Sequence, residues 1–151
     1  MRYTPAQTKE ALEINEETLR HWRKSFVPLK GKRGYAPCFS PGDLLALKVV
    51  AKLHGLGVSV GQVKPFAIDL FKVCSQGVWS SLENKVLVFD GQVMDVMTVG
   101  DEERWAKLPR ISIPLKPLIA LLQQRLSEEE IRPAQPEILF PPLGVAQGRA
   151  K

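Results

Sequence analysis

Positive charge is concentrated in one short stretch of this 151-residue chain. Arg20, His21, Arg23 and Lys24 crowd the segment EINEETLRHWRKSF, residues 13–26, and Lys30, Lys32 and Arg33 follow directly. Tyr35 closes the cluster with an amphipathic ring. Guanidinium forks match phosphate geometry and ammonium groups supply mobile point charges, so the chemistry open to such a cluster is recognition of a polyanion. The plain alternative is a solvated helix face followed by a solvated turn. The wider charge distribution favours the first reading. Residues 1–75 hold 12 Lys and Arg against 6 Asp and Glu, whereas residues 76–151 hold 9 against 10. An anionic partner is therefore expected at the N-terminal half, with a different task for the C-terminal half.

Other chemistries find little support. No nucleophile motif and no His/Asp/Glu cluster stands out, so no catalytic residues are assigned and an enzyme is not expected. Asp101, Glu102 and Glu103 read as a solvated helix start, and Glu128–Glu130 as the beginning of a tail. Cys38 and Cys74 form no CxxC and make no metal-ligand spacing with His21 and His54. No metal and no cofactor is expected. Reduced thiols are the plain reading of the two cysteines, although the sequence leaves a disulfide between them open. No apolar run reaches membrane-spanning length, and the first ten residues lack a signal-peptide core. A cytoplasmic protein with no membrane partner is the expectation.

The basic residues must be positioned by helices. In TPAQTKEAL, Thr4 suits an N-cap, Pro5 the first helical position and Gln7 the return arm of a capping box. Asn15 then caps a second helix over about residues 16–25, with Glu16 and Glu17 at its positive end. Leu19, Trp22 and Phe26 fall at i, i+3 and i+7 and share an anchoring face. Glu17, Arg20, His21 and Lys24 share another, which is turned outward. Two short helices with a tight turn form a helix-turn-helix pattern, a weak signal alone. VPLKGKRGYAPCFSPGD follows as a short β-hairpin or an extended loop.

Ser40, Pro41 and Asp43 open a helix with Leu44, Leu47, Val50 or Ala51, and Leu53 or His54 as its apolar stripe. Ser59 and Gln62 have capping-box spacing ahead of another helix, which Pro65 bends or starts late. Ile68, Phe71 and either Val63 or Ala67 are expected to face the core. The pattern changes after Cys74. KVLVFDGQVMDVMTV holds two β-rich runs around Asp90-Gly91, a two-residue hairpin signal. DEERWAKL reads as one or two helical turns and ISIPL as a strand. KPLIALLQQRLS reads as a helix with Leu118, Leu121, Leu122 and Leu126 on one stripe. The fold class is thus mainly α with β, in three parts: residues 1–75, an α/β segment over 76–127 and a Pro-rich flexible tail over 128–151.

The order of these elements resembles the MerR-type winged helix-turn-helix of bacterial transcription regulators. YTPAQTKEALEINEETLRHW looks like the family's opening, which ends here in Thr18-Leu19-Arg20-His21-Trp22. RGYAPCFSPGDLLALKVVAKLHGLGVSVGQVK resembles its Gly-Tyr wing, its Asp-Leu helix start and its later L-x-x-L-G-x-S passage. Gly34, Tyr35, Phe39, Asp43, Leu44, Leu53, Gly57, Ser59 and Val63 carry that likeness, over about residues 2–73. The resemblance implies that helix 16–25 enters a DNA major groove and that residues 29–39 form a wing on the flanking backbone. Thr18, Arg20, His21, Arg23, Lys24, Lys30, Lys32, Arg33 and Tyr35 become the candidate DNA-binding residues. Ala36 stands where the family pattern places an Arg, and an extra residue lies between Tyr35 and Phe39. Downstream, no heptad repeat matches the family's dimerising helix.

The expected function is sequence-specific regulation of transcription. The alternatives are an excisionase-like architectural protein of a mobile element and a protein-interaction module without DNA binding. The expected partners are double-stranded DNA and further copies of the chain, joined through the C-terminal half. RNA polymerase or another DNA-bound protein is the candidate beyond those.

Overall fold

The computed structural model describes residues 1–101 and 109–131. Helix α1 spans Pro5–Leu12 and α2 spans Glu16–Ser25. The capping box predicted at Thr4 forms in full: Thr4 Oγ1 accepts from the Gln7 backbone N–H at 3.1 Å, and Gln7 Oε1 accepts from the Thr4 N–H at 2.9 Å. The Asn15 side chain accepts from the Thr18 N–H at 2.8 Å and starts α2. Between the helices Glu13 takes up a left-handed backbone conformation, φ 57°, and turns the chain within three residues. Lys9 Nζ then ties α1 to the first turn of α2 through Glu16 at 2.6 Å.

Helix α3, Pro41–Gly55, is the central element. Ser40 and Asp43 close its capping box at 3.1 and 2.9 Å. Residues Gly42–Val50 are all buried, so this helix is covered on every side rather than along one stripe. Leu53 points inward and His54 outward, which settles that pair. At Gly42 an added Cβ would lie 2.7 Å from Ser75 Cα, so two backbones cross there that only a glycine allows. Short α4, Val60–Val63, passes through a 3-10 turn over Lys64–Phe66 into α5, Ala67–Cys74. The break falls at Pro65, the bend predicted from its missing N–H. The inward stripe of α5 is Ala67, Leu70, Phe71 and Cys74. Ile68 was expected in the core but is 59% exposed, because the i, i+3, i+4, i+7 set begins one residue earlier.

The second half adds an antiparallel sheet: β1 Lys85–Phe89, β2 Met94–Thr98 and β3 Ile111–Pro114, in the order β2-β1-β3. Phe89 pairs with Met94 and the Asp90 N–H donates to the Val93 carbonyl at 3.2 Å. The two turn residues are therefore Gly91 and Gln92, one position later than the Asp-Gly signal. Asp90 instead closes the turn, its carboxylate accepting from the Gln92 and Val93 N–H groups at 2.8 and 2.7 Å. Those bonds hold its carboxyl below the ordinary value.

Helix α6, Leu115–Ile131, packs against α1 and α3. Leu118, Leu122 and Leu126 are buried within the chain, in one continuous core with Leu12, Trp22, Leu44 and Phe89. Three leucines of the stripe expected to join copies of the chain thus already cover α1 and α3 within one chain, and Leu121 is half-buried. The helix also continues past Glu128 to Ile131, so the first four residues assigned to the tail are helical. The rest of the tail, and nearly all of the DEERWAKL segment, lie outside the described residues. Glu13 binds the halves a second time, pairing with Arg125 of α6 and lying 4.0 Å from Lys48 of α3.

Candidate nucleic-acid interface

Helix α2 is fixed by its apolar face. Leu19 and Phe26 are fully buried and Trp22 is 3% exposed, and the Phe26 ring lies 6.2 Å from that of Phe71. That anchor decides where the polar positions go: Glu17, Arg20, His21 and Lys24 are all exposed. Thr18 is half-buried in the first turn, where its N–H is already taken by the Asn15 cap. Glu16 is hydrogen-bonded to Lys9, which together with Arg20 and Arg23 holds its carboxyl below the ordinary value.

After α2 a 3-10 turn, Val27–Leu29, buries Leu29, and the chain loops out over residues 30–38 before α3. Of the two forms left open for this segment, the loop is the one found. A single antiparallel bridge, Tyr3 to Phe39, stands in place of a paired hairpin. Side chains meet the carbonyls of the loop. Gly34 O accepts from Arg23 Nη2 at 3.2 Å, and Cys38 O accepts from Arg2 Nη1 and Lys32 Nζ, each at 3.1 Å. Side chains thus hold the loop where a ladder is lacking, and Pro37 supplies no donor for one.

The loop and α2 enclose a cleft of about 560 Å³ lined by Arg20, Arg23, Lys24, Lys30, Lys32 and Arg33. Among the described residues no carboxylate lines it. A concave surface of one sign over low-dielectric walls focuses its potential outward, and a polyanion is the ligand that such a field attracts. The six cations differ in posture. Arg20, Lys24, Lys30 and Arg33 are exposed. Arg23 and Lys32 are partly buried and engaged within the protein, Lys32 in an ion pair with Asp43. Tyr35 is 91% exposed beyond the cleft, and His21 stands on the open face of α2. The structure therefore brings six of the nine sequence-predicted residues to one cleft. Thr18, His21 and Tyr35 lie outside its lining.

Sequence reasoning missed four parts of this arrangement. Arg2 and the Cys38 carbonyl close the loop, the Phe39 ring lies under Arg23 at 5.3 Å, and Asp43 receives Lys32. Asp43 was legible as a helix cap, but nothing local marks its second partner. Both cysteines are free thiols, which closes the disulfide question. Cys74 is buried deeply enough that its thiol is pushed up to about 12. Among the described residues no group of three or more His, Cys, Asp or Glu side chains is placed to hold a metal ion. No described helix is long and apolar enough to cross a membrane.

Residues 3–67 match the family model described as MerR HTH family regulatory protein. The matched span holds α1, α2, the loop, α3 and α4, and it ends at the start of α5. These residues form a MerR-type helix-turn-helix domain, and the family is one of DNA-binding regulators. No curated protein matches the chain.

Proposed function

We propose that this protein is a sequence-specific, double-stranded-DNA-binding regulator of transcription, acting in the cytoplasm. The observation that carries the reading is the carboxylate-free cleft in which exposed Arg20 and Lys24 of α2 face Lys30 and Arg33 of the loop. A ten-residue helix is about 15 Å long, and the major groove of B-DNA admits it. In this reading Arg20, His21 and Lys24 approach base edges or the phosphates beside them. Lys30 and Arg33, with Tyr35, hold the flanking backbone. Phosphate contacts position the protein, and base contacts choose the sequence.

The test is binding of the full chain to mixed-sequence duplex DNA across a salt series. Each cation paired with a phosphate releases counterions, so log K should fall steeply and linearly with log salt. A folded protein that binds no duplex at low salt would refute the reading.

A second reading, an architectural DNA-binding protein that bends or coats DNA, draws on α6. The stripe that would pair two copies is buried against α1 and α3. A footprint separates the two: a single pseudo-palindromic site favours the regulator, and a tandem array favours the architectural protein.

A further inference from the structure

The cations of the cleft fall into two chemical classes, and the difference has a functional meaning. Arg23 projects from the last turn of α2. Its Nη2 donates to the Gly34 carbonyl at 3.2 Å and reaches Cys38 Sγ at 3.8 Å, and the guanidinium lies over the Phe39 ring with 5.3 Å to the centroid. Its Nε is buried and finds no hydrogen-bond partner among the described residues. A guanidinium poised to meet phosphate would keep that donor in water. This one gives up part of its hydration to lie over an aromatic face and hold a loop carbonyl. Lys32 does the equivalent from the other side of the loop. Its ammonium pairs with Asp43, a buried carboxylate in the first turn of α3, and also donates to the Cys38 carbonyl at 3.1 Å. Moving Lys32 out to a DNA strand would leave the buried Asp43 carboxylate unpaired, which is costly, and moving Arg23 out would give up its contacts with the Phe39 ring and the Gly34 carbonyl.

We infer that Arg23 and Lys32 are positioning residues and not DNA ligands: they lock loop 30–38 between α2 and α3, so that Lys30 and Arg33 stand in fixed register with Arg20 and Lys24. This rests on the DNA-binding reading above and deepens it. The loop has no strand ladder to stiffen it, and two inward cations take the place of one. Preorganisation of this kind removes an ordering cost from binding without adding a contact to the nucleic acid.

The counterion slope distinguishes the two roles, because only a cation that neutralises a phosphate contributes to it. Equilibrium binding of the full chain to a fixed mixed-sequence duplex is measured by fluorescence anisotropy across a salt series. Circular dichroism confirms that each variant is folded at the temperature used. Lys30→Gln and Arg33→Gln should each flatten the log K against log salt slope by about 0.9. Arg23→Gln and Lys32→Met should weaken binding at every salt concentration while running parallel to the parent. Should Lys32→Met fail to fold, Lys32→Gln replaces it with the same expectation. Arg23→Lys is the decisive variant. It keeps the charge but loses the planar fork and the stacking face, so it should bind as poorly as Arg23→Gln. A flattened slope for Arg23→Gln or for the Lys32 variant, or parental affinity in Arg23→Lys, would overturn the assignment. If the parent binds no DNA at all, the DNA-binding reading falls first, and this assignment with it.

Discussion

Helices α2 and α6 are both amphipathic, yet they present opposite lessons about what an apolar stripe is for. In α2 the stripe is aromatic and short, and it is buried directly beneath the cations that it orients: Leu19, Trp22 and Phe26 inside, Arg20, His21 and Lys24 outside. In α6 the stripe is long and leucine-rich, the composition expected of a surface that meets a second copy. It nevertheless closes the protein's own core against α1 and α3. Periodicity shows that a face will be buried. It does not show against what, because the partner is distant in sequence. Here the partners are α1 and α3, and α3 is buried nearly all round and therefore needs cover on more than one side.

The strongest test of this contrast is the pair Leu118→Asp and Leu122→Asp. Two carboxylates placed where the side chains are 5% and 0% exposed have no partner, and burying each costs several kcal/mol or more. The double variant should lose cooperative unfolding altogether. If it stayed folded and only sedimented as a smaller species, α6 would be an intermolecular surface after all. Next in size is Trp22→Ala. Removing this ring should cost about 3–5 kcal/mol by chemical denaturation, through lost burial and the cavity left behind. A variant that melts like the parent and yet fails to bind DNA would place the ring outside the core and make it a DNA contact.

A smaller effect sharpens the comparison where α6 meets α3. Lys48 of α3 is 4% exposed, near Glu13 and Arg125. Burial pushes its ammonium below the ordinary value of 10.5, and the Glu13 carboxylate opposes that shift. Below the folded-state value both folded and unfolded chains carry the proton, and the penalty for burying it is fully present. Between the folded-state value and about 10.5 the unfolded chain holds more protons, so this group makes stability rise with pH across that window. Lys48→Met should be close to neutral or stabilising at pH 7 and should lack that rise. Marked destabilisation of Lys48→Met would show that the ammonium contributes an ion pair stronger than its desolvation.

Much of the local architecture was legible because its causes are local. Thr4 with Gln7, Ser40 with Asp43 and Ser59 with Gln62 each satisfy helix N–H groups within four residues, and all three capping boxes form. Asn15 as a cap, the break at Pro65 and the anchoring face of α2 follow from equally short spacings. The errors and omissions share the opposite property. Ile68 faces outward because the stripe of α5 starts at Ala67, a choice made by what packs on it. Arg23 and Lys32 resemble the other cations in sequence, and their difference comes from Gly34, Cys38, Phe39 and Asp43, which only the folded loop brings to them. The candidate site was thus legible as a set of charges, and its division into exposed and inward members was not.

The central claim is that α2 reads DNA sequence while the loop grips backbone, and selection from a random duplex library tests it most directly. The parent should enrich a defined motif. At least one of Arg20→Ala, His21→Ala and Lys24→Ala should shift the preferred bases, since an Arg bidentate to guanine discriminates by about 1–3 kcal/mol. Lys30→Ala and Arg33→Ala should enrich the parental motif with weaker binding throughout. Enrichment of no motif by the parent, or a changed preference confined to the loop variants, would contradict the account.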